Sequence, residues 1–475
     1  MELEKLAAPL ESDSQKRKKE LAAVARHAEV FLEDLPSLPV YVPPGDRETA
    51  LGAMKFSSEP ASLEEALGIV GEYVERNGHS LGSSGFFGYI PSGGLYESAL
   101  ADYLAAVINR YSGVGHAAPG ATRLEESMLR WLAGVVGYPD TSEGDLTSGG
   151  SMAALSAIMA AREGFGIDCS TAANRVVYLT SHTHHTFRKA LHITGLGNCV
   201  IRELETDAAH RMRSTALAEA ITADRAKGLS PWFIAASAGT TDIGSVDPLD
   251  EIADIAEGEK LWFHVDAAYG GAFALCEEGK RRLKGLERSD SLILDPHKGF
   301  FLPGGVGVVL VRDGSKLFDA YHSRGTYMQD MSHDTERSPC DFSTELTRPF
   351  RALRFWMPFK LLGTAPFAAA LEEKLLLAQY FHEQLATING IEAGPPPDLS
   401  IVTFRYVPKS GSATDFNRKL VDAIRDDGRV FLTSTTMNDT FVIRLAVLGY
   451  NTHLKDVDMA LTVVRESIAV VSGHE

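Results

Sequence analysis

The chain has 475 residues, 44% of them hydrophobic and 23% charged, with a formal net charge of −17. That length and balance fit a soluble globular protein with a large core divided among roughly two or three domains. The negative charge disfavours nucleic-acid and anionic-membrane partners, and Lys16-Arg17-Lys18-Lys19 is too short and too closely flanked by acids to reverse it.

The first residues, MELEKLAAPLESDSQKRKKE, are too charged for a signal peptide, and no apolar run reaches the ~18 residues of a membrane helix. Polar Ser12-Asp13-Ser14 precedes Leu21, Val24, Ala25 and Ala28, which predicts a helix over 12–34 with one apolar face. Residues 35–45 are extended and proline-rich, a linker or a strap over a surface. A further helix is expected over 62–76. Such an arm has no core of its own, so a second subunit is its expected cover. Residues 79–94, HSLGSSGFFGYIPSGG, mix Gly and Ser with Phe86, Phe87, Tyr89 and Ile90. A surface loop with an apolar plug and a loop lining a pocket are both open there. Amphipathic helices follow over 95–110 and 122–136.

From residue 145 strands alternate with helices. Apolar runs at 176–180, 199–202, 232–237, 261–265, 291–294 and 306–311 read as strands, with helices at 151–163, 216–225 and 249–258 between several of them. Continuous apolar strands with crossover helices predict a mostly parallel sheet covered on both faces. Ligands in such sheets bind beyond the carboxyl ends of the strands, so the residues after each strand carry the most weight. After Pro395-Pro396-Pro397, strands at 399–407 and 441–448 and helices at 415–427 and 454–468 predict a small α+β domain. The expected division is an arm with a pocket loop over 1–94, a large domain over 95–360 and a small domain over 361–475. Cys169, Cys199, Cys276 and Cys340 are far apart, with no C-x-x-C. That argues for a reducing, cytoplasmic setting and against a disulfide framework or a structural zinc site.

Four features gather at the strand ends. Thr147-Ser148-Gly149-Gly150-Ser151 opens a helix, with glycines for close approach and Ser151 as its expected cap, a ready anion site. His182, His184 and His185 follow a strand; if that strand continues, His182 and His184 share one side. No carboxylate or cysteine stands at ligand spacing for a metal there, and an imidazole packed on a planar ligand is the other reading. Asp266 ends an apolar strand, where a carboxylate needs a cation or donors to stay charged. Lys298 stands between Leu292-Ile293-Leu294 and Phe300-Phe301-Leu302. Most lysines snorkel to water, but a desolvated lysine is a competent amine nucleophile. Phosphate anchor, ring platform, carboxylate and lysine together match what pyridoxal phosphate requires.

At these residues the sequence resembles the group II pyridoxal-phosphate-dependent amino-acid decarboxylases, the family of aromatic-L-amino-acid and glutamate decarboxylases. The resemblance rests on HVDAAYGG (264–271) with DPHKG (295–299). It extends through FFGYIPSG (86–93), TSGGS (147–151), HTHHT (182–186), AGTTDIGSVD (238–247) and FVIRLAVLGYNTH (441–453). It implies an α/β fold of type I, with a mainly parallel seven-stranded sheet, a small C-terminal α+β domain, an N-terminal helical arm and a homodimer with shared sites. By motif, Lys298 is the Schiff-base lysine, Asp266 pairs with the pyridine nitrogen, Ala268 lies under the ring and His184 stacks on its other face. Gly150, Ser151 and His297 contact the phosphate, and Thr241 lies near the ring. Tyr89, Ile90 and Pro91 line the substrate pocket, and Tyr111 and Gly113 contribute across the dimer interface. The implied reaction converts an L-amino acid, aromatic or otherwise bulky, to its amine and carbon dioxide.

Some positions depart from the family pattern. The tyrosine that protonates Cα in aromatic decarboxylases would fall near Pro339, inside ERSPCDFSTELT, and none stands there; Tyr327 is nearby. Relatives lacking it can be aldehyde synthases, which decarboxylate and oxidatively deaminate. Ile90 replaces a frequent aromatic and Gly113 a frequent bulky residue, which predicts a roomier or reshaped pocket, with His116 adding polarity. Aldehyde synthesis, transamination and a cofactor-binding protein without turnover are the alternatives, with a metal enzyme built on the histidines a remote one.

Overall fold

A computed structural model of the protein describes residues 2–45, 51–91, 93–323 and 337–473. Seven strands form its central sheet: β1 Glu143–Thr147, β2 Arg175–Thr180, β3 Val200–Leu204, β4 Ser230–Ser237, β5 Trp262–Asp266, β6 Ser291–Leu294 and β7 Gly307–Val311. Their spatial order is β1-β7-β6-β5-β4-β2-β3. Strands β2 to β6 pair parallel, and β7 is antiparallel to both neighbours.

Both faces of the sheet are dry along β2 and β4 to β7, which is why these strands read as apolar runs, while the edge strand β3 is half exposed. Tyr178, Ile234, Phe263, Leu292 and Leu310 face one core, packed with residues of the Pro119–Val136, Leu249–Glu259 and Arg351–Leu362 helices. Val177, Phe233, Trp262, Ile293 and Val309 face the other, where the Gly150–Gly164 helix presents Ala153, Ala154, Ala157, Ala160 and Ala161. An alanine face lets that helix lie close to the sheet and brings its first turn down on the strand ends.

Strand β1 breaks the apolar rule. Its sequence, EGDLT, carries Asp145 into the interior at 2% exposure. Three arginines from 337–351 compensate. Arg348 Nη1 donates to Asp145 Oδ1 at 2.6 Å and pairs with the buried Glu125 at 3.2 Å. Arg351 donates to the Leu146 carbonyl at 3.1 Å, and Arg337 to the Gly144 carbonyl at 2.7 Å.

A second sheet, antiparallel, holds β8 Ile391–Ala393, β9 Ile401–Tyr406, β10 Thr433–Met437 and β11 Thr440–Ala446 in the order β8-β9-β11-β10. It packs against the Ala413–Asp427 and Leu454–Gly473 helices over its own core. The Ala365–Leu385 helix belongs to both cores: Phe367, Leu371 and Leu375 enter the large one, and Leu377, Ala378, Phe381 and Leu385 the small one. At the N-terminus the Ser14–Asp34 helix buries none of its residues. The segment after it is a strap: Tyr41–Val42 pairs with Gly78–His79, and the Val40 N–H donates to the Gly428 carbonyl at 3.1 Å.

Removing Arg348 leaves two buried carboxylates without their cation. Arg348→Met should cost about 3–5 kcal/mol in urea unfolding. A loss under about 1 kcal/mol would mean that the two acids are already neutral in the folded chain.

Candidate functional site

The carboxyl ends of the parallel strands open onto a cavity of about 340 Å³. The helix start after β1, the loops after β2 and β4, the last residue of β5 and the turn after β6 all contribute to it. Gly150, Ser151, His184, Thr241, Asp266, Ala268, His297 and Lys298 line this one cavity, joined by Ser148, Gly149, Thr186, Tyr269, Asp295 and Gly305.

The helix start is set by Gly149, at φ 152° and ψ 175°, a backbone region open essentially to glycine alone. A Cβ on Gly150 would come within 3.0 Å of Asp295 Oδ2, and one on Gly307 within 2.6 Å of the Gly149 backbone. So Gly149 is the N-cap, and Ser151 lies inside the first turn rather than capping it. The Gly150 and Ser151 N–H groups at the start of that turn have no intrahelical acceptor, whereas the Met152 N–H already donates to the Gly149 carbonyl at 3.0 Å, and the helix start carries a partial positive charge.

Strand β2 stops at Thr180, so the histidines do not alternate across an extended chain. His182 turns away and pairs with Asp242 at 2.6 Å, which raises its pKa. His184 faces the cavity with Nδ1 2.8 Å from Thr186 Oγ1. Burial, helped by the charges of His185 and Lys298, lowers its pKa to about 4, so it is neutral at physiological pH. His297 Nδ1 donates to the Val306 carbonyl at 2.6 Å, and its Nε2 lies 3.9 Å from Asp295 Oδ2.

Lys298 Nζ lies 3.1 Å from Asp295 Oδ2. The pair spans three residues of the short turn Pro296–Gly299 and brings the lysine back over the end of β6. Asp295 is 3% exposed and its Oδ1 has no hydrogen-bond partner. Sequence reasoning gave no role to this carboxylate, although its place three residues before the lysine was a usable signal. Asp266 Oδ1 accepts from the Ala268 N–H at 3.1 Å. Burial pushes its pKa up to about 6, against the pull of the Lys298 charge.

The substrate-side residues lie elsewhere. Tyr89 is 56% exposed, at φ 48°, beside His79 and Phe431. Ile90 and Pro91 continue that loop, outside the cavity lining. Tyr111 is exposed, its hydroxyl 3.3 Å from Thr347 Oγ1. A Cβ on Gly113 would sit 2.0 Å from the Leu346 carbonyl oxygen. The space over Gly113 is therefore filled by backbone of the same chain and does not widen the cavity. Pro339–Phe342 forms a short turn whose Cys340 N–H donates to the Gly113 carbonyl at 3.0 Å; Tyr327 lies outside the described residues. Among the described residues no group of three or more His, Cys, Asp or Glu is placed to hold a metal ion.

Comparison with known proteins matches residues 48–407 to the family described as "Pyridoxal-dependent decarboxylase conserved domain". An aromatic-L-amino-acid decarboxylase of Bacillus atrophaeus is 35% identical over 81% of this chain and 82% of its own length. A phenylacetaldehyde synthase of Arabidopsis thaliana is 28% identical over 86% of each chain. The crystal structure of Oryza sativa TDC with PLP and tryptamine superposes with a TM-score of 0.90 at 25% identity, covering 96% of this chain and 98% of that one.

Asp266 also carries a stability signature. Its folded pKa of about 6 lies above the ordinary 3.8. Its contribution is therefore fully present below about pH 4 and is lost as pH rises through about 6. Asp266→Asn cannot ionise, so it should stabilise the cofactor-free chain at neutral pH by up to about 2–3 kcal/mol, the gain vanishing below about pH 4. Urea unfolding across pH reads this; equal stability at neutral pH would mean that a cation already neutralises Asp266.

Proposed function

The chain belongs to the pyridoxal-dependent decarboxylase family, whose cofactor is pyridoxal 5'-phosphate, and we propose that it converts an aromatic or similarly bulky L-amino acid to its amine and carbon dioxide. The observation that carries this is one cavity containing a lysine, a buried carboxylate, a neutral imidazole and a helix start. The residues present fit the cofactor. The glycine cradle leaves room beside the Gly150 and Ser151 N–H groups, and Asp266 is a carboxylate buried in the same cavity whose pKa is raised by desolvation.

In this reading Gly150 and Ser151 receive the phosphate at the helix start, with His297 Nε2 alongside. Lys298 is the amine for the aldehyde, and leaving Asp295 is the first demand on it. Asp266, a carboxylate above about pH 6, keeps a proton on the ring nitrogen. Ala268 provides a floor too small to lift the ring, and Thr241 bounds the site near the reacting end. His184 lays a neutral ring against the other face. An uncharged imidazole does not hold the substrate carboxylate in its ground state, so it favours release as carbon dioxide. Bound pyridoxal phosphate supplies the electron sink for the broken bond.

A homodimer belongs to the proposal. Its support is apolar surface: the Ser14–Asp34 helix exposes Leu21, Val24, Val30 and Leu32, and the Tyr96–Ile108 helix exposes Leu100, Tyr103 and Val107. A second copy covering these faces would bring Tyr89, Ile90, Pro91, Tyr111 and Gly113 toward the substrate side. A reducing cytoplasmic setting accords with four free cysteines. Aldehyde synthesis remains the second reading, on the absence of a tyrosine around Pro339 and the likeness to a phenylacetaldehyde synthase.

Purified protein should show the visible absorption of a cofactor bound to lysine, bleached by borohydride and absent in Lys298→Ala. With a panel of L-amino acids it should release amine and carbon dioxide in equal amounts. Aldehyde, ammonia and peroxide in place of amine would select the second reading. A colourless protein that cannot be reconstituted would overturn both.

A further inference from the structure

Arg444 is buried in β11, at 4% exposure, yet points out of the small domain. Its Nη2 donates to the Thr241 carbonyl at 2.8 Å and its Nε to the Asp242 carbonyl at 2.9 Å. Its Nη1 donates to Thr433 Oγ1, across the pair β10–β11, at 2.9 Å. One planar fork thus holds two consecutive carbonyls of a loop in the large domain while its third branch is tied to its own sheet.

That loop, 239–246, carries Thr241 into the cavity. It is a tight hairpin, closed by Gly239 and Thr240 N–H groups donating to the Ser245 carbonyl and by Gly244 N–H donating to the Thr240 carbonyl. Its outer side rests on the small domain. Ile243 packs with Met437 and Val442. A Cβ on Gly244 would sit 3.0 Å from Ile401, and the Val246 N–H donates to Asp398 at 3.0 Å. Tyr269, another wall of the cavity, is bound to Ser400 Oγ at 2.6 Å. None of the roles derived above uses Arg444, and carbonyls alone would not require a guanidinium. Burial lowers its pKa to about 10, and the groups acting on it include Tyr269, Asp242 and Tyr89.

We infer that Arg444 is a positioning residue for the reaction: it transmits the placement of the small domain to Thr241 and so sets that side of the cofactor cavity. Its effect passes through the loop and not through contact with cofactor or substrate. The inference rests on the proposed cofactor site, and its test includes a readout independent of turnover.

The test uses the cofactor-loaded full chain, with Arg444→Met and Arg444→Lys made alone and on Thr241→Val. Arg405→Met, which breaks an ion pair with Glu392 on the same sheet, serves as control. Arg444→Met should alter the visible circular dichroism of the bound cofactor and lower kcat about tenfold, while Arg405→Met leaves both unchanged. On the Thr241→Val background the same change should have less than about a twofold further effect. Arg444→Lys, which reaches one carbonyl at a time, should fall between, and it carries the cycle if Arg444→Met does not fold. An unchanged cofactor signal in a folded Arg444 variant, or an equal loss on both backgrounds, would overturn the inference. If no amino acid is turned over, the decarboxylase reading fails, but the cofactor dichroism of the same variants still decides the role of Arg444.

Discussion

Charge confined to a dry place is the constraint that shapes this molecule. Lys298, Asp295 and Asp266 share one cavity at the ends of a sheet whose two faces are sealed by apolar side chains. One cation cannot satisfy two carboxylates. The pair at 3.1 Å goes to Asp295, and Asp266 is left with a backbone N–H and a raised pKa. A ligand that brings a ring cation to Asp266, an aldehyde to Lys298 and an anion to the helix start relieves the imbalance. In the proposed site, bound cofactor would balance these charges.

The same accounting recurs away from the cavity. Asp145 enters the interior on β1 because Arg348 follows it there, and Arg444 is buried because two carbonyls and a threonine take its donors. In each case an arginine fork crosses between parts of the chain that are distant in sequence. Lysine could not replace it, having no fixed geometry with which to hold two acceptors at once.

Legibility in the sequence followed the same division. Strands that bury both faces announce themselves, so β2 and β4 to β7 were readable from their apolar runs, while β3, a half-exposed edge strand, showed only the short run 199–202. Strand β1 was not, since EGDLT looks polar until Arg348 supplies the missing charge from two hundred residues away. Strand β10, TSTTM, was hidden for another reason: it is an edge strand with alternating exposure and little to bury. At the site, the eight cofactor-side residues read from local motifs do line one cavity, whereas Tyr89, Ile90, Pro91, Tyr111 and Gly113 do not, and Asp295 was passed over inside its own motif. What stayed out of sight were pairings. Arg444 stood inside a motif already singled out, but no local pattern says which carbonyls a strand arginine will reach. The turn of His182 away from the cavity likewise depends on Asp242, which sits on a different strand end.

Strand order has a consequence for how the chain is made. β1 is the first strand of the sheet to be synthesised, yet among the described residues its one strand neighbour is β7, the last. Strands β2 to β6 can pair with one another as they emerge, while β1 and the glycine turn after it wait for Gly307–Val311 and then for Arg348. The glycine turn, formed where Gly149 meets Gly307, is therefore among the last parts of the large domain to assemble. A nascent chain still short of that point has no place to hold the cofactor, and it presents the unpaired edges of β1 and β6 to chaperones or to neighbouring chains.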